Sequence, residues 1–257
     1  MRMVVKVGTS TLTHATGRLN IRHVEALCKV LSDIKNAGHE LVLVSSGAIG
    51  MGVGKMNLPK RPDDMPSKQA MAAIGQCELM YIYDRLFSEY NHVVAQILLT
   101  GEDLREEKRH TNFINTIYRL LELGALPVIN ENDTVATEEV AVGDNDTLGA
   151  LVSESIRADL LVILSDIDGL YSANPRVDPT AQLIPVVEEL TPEILAAAGS
   201  KGSSLATGGM ATKLNAAAIC MQAGTDMVIM NGEQPELLYD LLGGTPVGTR
   251  FIGRRTS

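Results

Sequence analysis

The chain has 257 residues, 45% of them hydrophobic and 21% charged, with a formal net charge of −9 and a mean hydropathy of +0.10. That is enough chain to bury a substantial core, in proportions that read as soluble and globular. A net negative charge with no Trp and 4% aromatic residues excludes a phosphate-backbone-binding face and a base-stacking platform, so no nucleic-acid partner is expected.

No stretch approaches the length needed to span a bilayer, so no membrane partner is expected either. The opening segment MRMVVKVGTS has an apolar run too short for a signal sequence. Cys28, Cys77 and Cys220 lack any CxxC spacing and read as small buried hydrophobes in a reducing compartment. The cytoplasm is the expected location.

In chain order, MVVKV (3–7) is a short apolar run consistent with a strand covered on both faces. Lys6 lies inside it, just before a turn at Gly8. A lysine in a buried strand must reach water or an anion, and the Gly-Thr-Ser that follows brings backbone and hydroxyl donors to the same place. A phosphate facing Lys6 is the expectation. Ile21–Ala37 places Val24, Leu27, Cys28, Leu31 and Ile34 on one helical stripe, stopped by Gly38.

ELVLVS (40–45) is the second strand. It runs into SSGAIGMGVG, four glycines in eight residues without the GxGxxG spacing of a dinucleotide fingerprint. Ser45, Ser46 and Gly47 stand at a helix start, where an anion is favoured. Pro66–Tyr90 is helical, HVVAQILL (92–99) a strand, Arg105–Arg109 a solvated helix face, Thr111–Leu123 a helix and ALPVIN (125–130) a strand.

From Asn130 to Asp146 the chain carries six carboxylates and three asparagines. A solvated loop would account for them, and TVATEEVAV (134–142) alternates like an exposed hairpin, with Glu138 and Glu139 in water. Asp146–Arg157 is a helix with Leu148, Leu151, Val152 and Ser155 on its stripe and Asp146 as its cap. DLLVIL (159–164) and DMVIM (226–230) are strands.

SSLATGGMATK (203–213) opens a helix over 209–223 whose inward stripe is Leu214, Ala217, Ala218 and Met221. It is no P-loop, because GK[ST] is absent. An ammonium at Lys213 opposes the helix dipole in the first turn, so an anion is expected beside it, which a nucleotide phosphate would supply.

Strands alternating with helices imply crossover connections, a mainly parallel sheet and an α/β fold, taken as one domain over 1–257. Ligands of such sheets sit outside the carboxyl ends of the strands. The turns after Val7, Ser45, Ile129 and Leu164 all lie there, which argues against the solvated-loop account of the acidic excursion.

VVKVGTS, SSGAIGMG, PVINENDTV, VGDNDTLGALV, SDIDGLY and TGGMATK, in this order and spacing, resemble the glutamate 5-kinases (gamma-glutamyl kinases) of the amino-acid kinase family, over essentially the whole chain to VGTRF. The NEND and GDND pair with TGGMATK is the specific part. The resemblance implies a three-layer αβα sandwich and ATP-dependent phosphorylation of the side-chain carboxylate of L-glutamate, the first step of proline biosynthesis.

By position it implies that Lys6 and Lys213 hold the transferring phosphoryl group, oriented by Asp146. Ser46, Asp133 and Asn145 would bind glutamate, with Asp133 on the α-ammonium and Asn145 on the α-carboxylate. Lys6, Gly8, Ser165, Asp166 and the run Thr207, Gly208, Gly209, Met210, Ala211, Thr212 and Lys213 would line the ATP site. Mg²⁺ would be carried by the phosphates, with no protein metal ligand assigned.

The resemblance further implies proline as a feedback inhibitor and a homo-oligomer, dimer or tetramer, here in the form without the C-terminal PUA domain. Ser165 stands where many relatives have Thr, and Asn174 where Asp is common. Two alternatives stay open on the residues alone: an acetylglutamate-kinase-like or other amino-acid kinase, and an NAD-dependent oxidoreductase using the glycine-rich turn. None of the five histidines (His14, His23, His39, His92, His110) falls in a motif. That suits a carboxylate nucleophile already ionised at neutral pH.

Overall fold

The apolar runs become β1 (Arg2–Val7), β2 (Glu40–Ser45), β3 (Val94–Leu99), β4 (Leu126–Glu131), β5 (Leu160–Ser165) and β7 (Asp226–Asn231). Two short strands, β6 (Val186–Val187) and β8 (Thr249–Phe251), were not foreseen. The computed structural model describes residues 1–14, 16, 18–136, 142–175, 177–199 and 209–254. Its sheet has the order β3-β4-β2-β1-β5-β7-β8-β6. Neighbours run parallel except β8, which is antiparallel to β7.

The helices are α1 (Thr9–Leu12), α2 (Ile21–Asn36), α3 (Ala48–Lys55), α4 (Met65–Ser88), α5 (Gly101–Arg105), α6 (Glu107–Glu122), α7 (Asn145–Ser155), α8 (Pro192–Gly199), α9 (Met210–Ala223) and α10 (Leu237–Leu242). Asn20 caps α2 by accepting from His23 N–H, and Asp64 caps α4 just ahead of Pro66. Gly38, at φ 91°, closes the turn after α2.

Period-two alternation divides β1 between two cores. Met3, Val5 and Val7 face one side with Leu27, Leu31 and Ile34 of α2 and Leu79, Tyr83 and Phe87 of α4. Val4 faces the other with Ile117 of α6, Leu148 and Val152 of α7, and Ala216, Ala217 and Cys220 of α9. The result is three layers, αβα, as expected. Lys6 shares the parity of Val4, so its stem runs toward α7, where Gly149 leaves room for it: a Cβ there would stand 3.6 Å from Lys6 Cβ. Among the described residues no helix is long and apolar enough to cross a membrane.

Several details differ from expectation. The glycine-rich stretch is mostly helix, α3, because its glycines serve packing: a Cβ on Gly52 would lie 2.0 Å from the carbonyl oxygen of Met71 in α4. Cys77 is exposed, unlike Cys28 and Cys220. On α9, Ala218 faces outward and Ala216 and Cys220 are buried instead, because that helix is covered along a broader face than its leucine and methionine mark. Thr134 and Val135 lie in an exposed turn. The remainder of the hairpin expected at 134–142, with Glu138 and Glu139, falls largely outside the described residues.

Candidate active site

Four strands end at one cleft of about 480 Å³, lined among others by Lys6, Gly8, Ser46, Asp133, Asn145, Asp146, Ser165, Asp166 and Lys213. Strand β1 delivers Lys6, and the turn after β2 delivers Ser46. The excursion after β4 and the head of α7 deliver Asp133, Asn145 and Asp146, while the end of β5 delivers Ser165 and Asp166.

At the centre is one carboxylate. Lys6 Nζ lies 2.6 Å from Asp146 Oδ1, and Lys213 Nζ 3.1 Å from Asp146 Oδ2. Thr212 Oγ1 donates to the same Oδ2 at 2.9 Å. The Asp146 side chain is 1% exposed and that of Lys213 5%. Burial on its own would push the Asp146 carboxyl up, but the two ammonium groups outweigh burial and hold it below the usual carboxylate range. Among the described residues two cations meet one buried anion here, in a place that opens to the cleft.

The anion expected beside Lys213 is therefore present in the chain itself, as Asp146. Asp146 is not the helix cap. Asp144 caps α7, accepting from Thr147 N–H at 2.8 Å and from the Thr147 hydroxyl at 2.9 Å, which leaves the buried Asp146 carboxylate to the lysines. Gly8 lies against the Lys6 head, its absent Cβ 3.5 Å from Nζ. Ser165 Oγ donates to Asp166 Oδ1 at 3.2 Å. Gly209 is the N-cap position of α9, with Met210, Ala211 and Thr212 in its first turn. Thr207 and Gly208 lie outside the described residues.

The other end of the cleft is acidic. Burial raises the Glu131 carboxyl; a hydrogen bond from Val142 N–H opposes this, and the charges of Asp133 and Asp144 add to it. Burial also raises Asp133, with Arg61 pulling the other way. Arg61, which the sequence reading did not single out, lines the cleft.

Nor did that reading foresee the amide chain beside these acids. Asn145 Nδ2 donates to Ser46 Oγ at 2.8 Å and to Asn130 Oδ1 at 2.9 Å. Asn130 Nδ2 donates to Gln76 Oε1 at 2.9 Å. Only the Asn-rich spacing around NEND and GDND hinted at it.

With Asp146 committed to two ammonium groups, no group of three His, Cys, Asp or Glu side chains able to hold a metal ion is found among the described residues. A divalent cation fits this donor set as the counter-ion of bound phosphates, not as the centre of a protein cage.

The model of the amino acid kinase family matches residues 1–231. A glutamate 5-kinase of Clostridium perfringens is 51% identical over 99% of this chain and 96% of its own length. One of Listeria innocua is 49% identical over 99% of this chain and 94% of its own. One of Caldanaerobacter subterraneus is 50% identical over 98% of this chain, which covers 68% of that relative. Among solved structures, carbamate kinase from Giardia lamblia bound to AMP-PNP superposes with a TM-score of 0.70 at 18% identity, covering 98% of both chains. The isopentenyl phosphate kinase of T. acidophilum superposes at 0.68 with 20% identity, covering 98% of this chain and all of the other.

Proposed function

The chain belongs to the amino acid kinase family and, within it, to the glutamate 5-kinases, and on that premise we propose how its cleft transfers the γ-phosphoryl group of ATP to the side-chain carboxylate of L-glutamate. The observation that carries the reading is the convergence of Lys6 and Lys213 on Asp146 beside an acidic pocket.

The nucleophile needs no base, since a glutamate side chain with a pKa of about 4.3 is already ionised at neutral pH. The obstacle is electrostatic. Two unit charges about 4 Å apart repel by about 4 kcal/mol at an effective dielectric near 20. Catalysis is then positioning and cationic clamping.

Lys6 and Lys213 approach the phosphoryl oxygens from the first strand and from α9, and Asp146 keeps both ammonium groups aimed. Gly8, Ser165, Asp166 and the start of α9 from Gly209 to Lys213 are assigned to the nucleotide side. Mg²⁺, held by the phosphates, would supply further charge neutralisation. On the amino-acid side, Asp133 takes the α-ammonium, and Ser46 and Asn145 hold the rest of the head group. We further propose proline as a feedback inhibitor, a homo-oligomeric state and a cytoplasmic location, as the resemblance to the glutamate 5-kinases implies.

The test is direct. Glutamate, ATP and Mg²⁺ with hydroxylamine should give a coloured hydroxamate from the acyl phosphate. A strong signal from N-acetylglutamate and none from glutamate would move the assignment to another amino-acid kinase. The oxidoreductase alternative finds no support, because Gly47, at φ 104°, and the tightly packed Gly52 have backbone reasons to be glycine.

A further inference from the structure

We propose that Gln76, on α4 and outside the cleft lining, is a positioning residue that holds Asn130 in the hydrogen-bond sense set by the Glu131 N–H, so that Asn145 presents its carbonyl oxygen and Ser46 its hydroxyl hydrogen to the amino acid.

The sense of the chain is set by one group that cannot flip. The backbone N–H of Glu131 donates to Asn130 Oδ1 at 2.8 Å. An amide side chain can exchange its oxygen and nitrogen by rotation, but a backbone N–H can only donate. With Asn130 Oδ1 thus an acceptor, the atom of Asn145 that meets it at 2.9 Å must be Nδ2. The same nitrogen also donates to Ser46 Oγ. Both hydrogens of Asn145 are then committed inside the chain, and its carbonyl oxygen is what remains for a ligand in the cleft it lines. Ser46 accepts from Asn145 and keeps its own hydrogen for the ligand.

On the other side of Asn130, Nδ2 must donate, and Gln76 Oε1 receives it. Asn130 is 2% exposed and Gln76 7%, and among the described residues Gln76 Nε2 has no hydrogen-bond partner. Burying an amide with half its capacity unmet is unfavourable. Its one side-chain bond goes to Asn130, whose N–H₂ would otherwise be buried without a partner, leaving the amide to shift out of place. The Glu131 N–H therefore sets the sense, and Gln76 holds the amide that carries it.

For a bound amino acid this assigns an acceptor, Asn145 Oδ1, to the ammonium and a donor, Ser46 O–H, to the α-carboxylate. It thereby moves the α-carboxylate from Asn145 to Ser46. The inference rests on the glutamate reading of the cleft.

The test compares Gln76→Leu with Gln76→Glu, the second of which keeps an oxygen facing Asn130 whether ionised or protonated. Gln76→Leu should raise the KM for glutamate about tenfold, the effect of one lost hydrogen bond to a buried amide, with kcat and the KM for ATP within about twofold. Gln76→Glu should return the glutamate KM to within about twofold of the parent. Equal impairment in both variants, or no change in Gln76→Leu, overturns the proposal.

If Gln76→Leu does not fold, the unmodified enzyme decides. As inhibitors competing with glutamate, 2-hydroxyglutarate, which has a donor in place of the ammonium, should bind more tightly than 2-oxoglutarate, which has none. The reverse order overturns the assigned sense. Absence of any glutamate-dependent hydroxamate from the unmodified enzyme would instead remove the underlying function, a result separate from any contrast among Gln76 variants.

Discussion

Lys213 is held by Asp146 across 67 positions of sequence, its Nζ 3.1 Å from Oδ2, on the carboxylate whose other oxygen meets Lys6. In the resting cleft this lysine is already desolvated and aimed, so its attraction to the phosphoryl oxygens grows most as charge accumulates there. Lys213→Ala should therefore lower kcat by about 100-fold or more, the scale of removing one preorganised electrostatic donor, while the KM for glutamate changes only a few-fold. Steady-state kinetics separate the two, and an unchanged kcat would take Lys213 out of the mechanism.

Asp146→Asn probes the same cluster through stability. Removing one partner of a buried ion pair typically costs about 3–5 kcal/mol because the remaining charge loses its counter-charge, and here two ammonium groups lose the same carboxylate together. A lowered melting temperature is expected. ATP should raise it more in the variant than in the parent, because the triphosphate restores a counter-charge. If ATP protects both proteins equally, the nucleotide does not sit against the lysines.

The acidic end should be visible in the pH dependence of glutamate binding. Burial raises Asp133, with Arg61 as a smaller opposing pull. A carboxyl raised on folding contributes stability that is present below its unfolded value, near 4, and is lost as pH rises through the raised folded value. Asp146 has the opposite sign: its contribution is present above its unfolded value and is lost as pH falls through the depressed folded one.

An ammonium bound to Asp133 favours the ionised carboxylate, so the KM for glutamate should rise as pH falls through the raised value. Asp133→Asn should start from a higher glutamate KM and lose that segment of the profile. A profile of the same shape in both would place the ammonium elsewhere.

How much of this was legible in the sequence follows from what leaves a local trace. Buried parallel strands are near-continuous apolar runs, so the sheet emerged with its register ends near Val7, Ser45 and Ser165. Lys6 and Lys213 stood out because each violates a local rule, a charge in an apolar strand and a cation in a first helical turn, and both violations resolve at Asp146. The GDND spacing could not say which aspartate caps and which is buried, since either can face back to the helix. Gln76 was invisible: its partner lies 54 positions away, and a single polar residue on a long helix looks like any solvated position. Arg61, in the polar stretch Lys60-Arg61-Pro62-Asp63, was hidden in the same way.

Gly75 precedes Gln76 and joins α4 to α3, the helix that begins directly after Ser46 and Gly47. A Cβ on Gly75 would stand 1.7 Å from the carbonyl oxygen of Ala48 and 2.4 Å from the backbone nitrogen of Gly52. Both are backbone atoms of α3, so no side-chain rotation relieves the clash and the two helices must separate. Overpacking of this kind costs about 1–3 kcal/mol and sometimes more. Gly75→Ala should accordingly lower the melting temperature by several degrees, against a small effect for Ala73→Ser on the exposed face of the same helix. Because α3 carries the Ser46 turn and α4 carries Gln76, the folded fraction should also show a raised KM for glutamate with the KM for ATP little changed. Thermal denaturation followed by circular dichroism, with kinetics on the same preparations, checks both parts. A Gly75→Ala protein as stable as the parent would mean that α3 and α4 do not meet backbone to backbone.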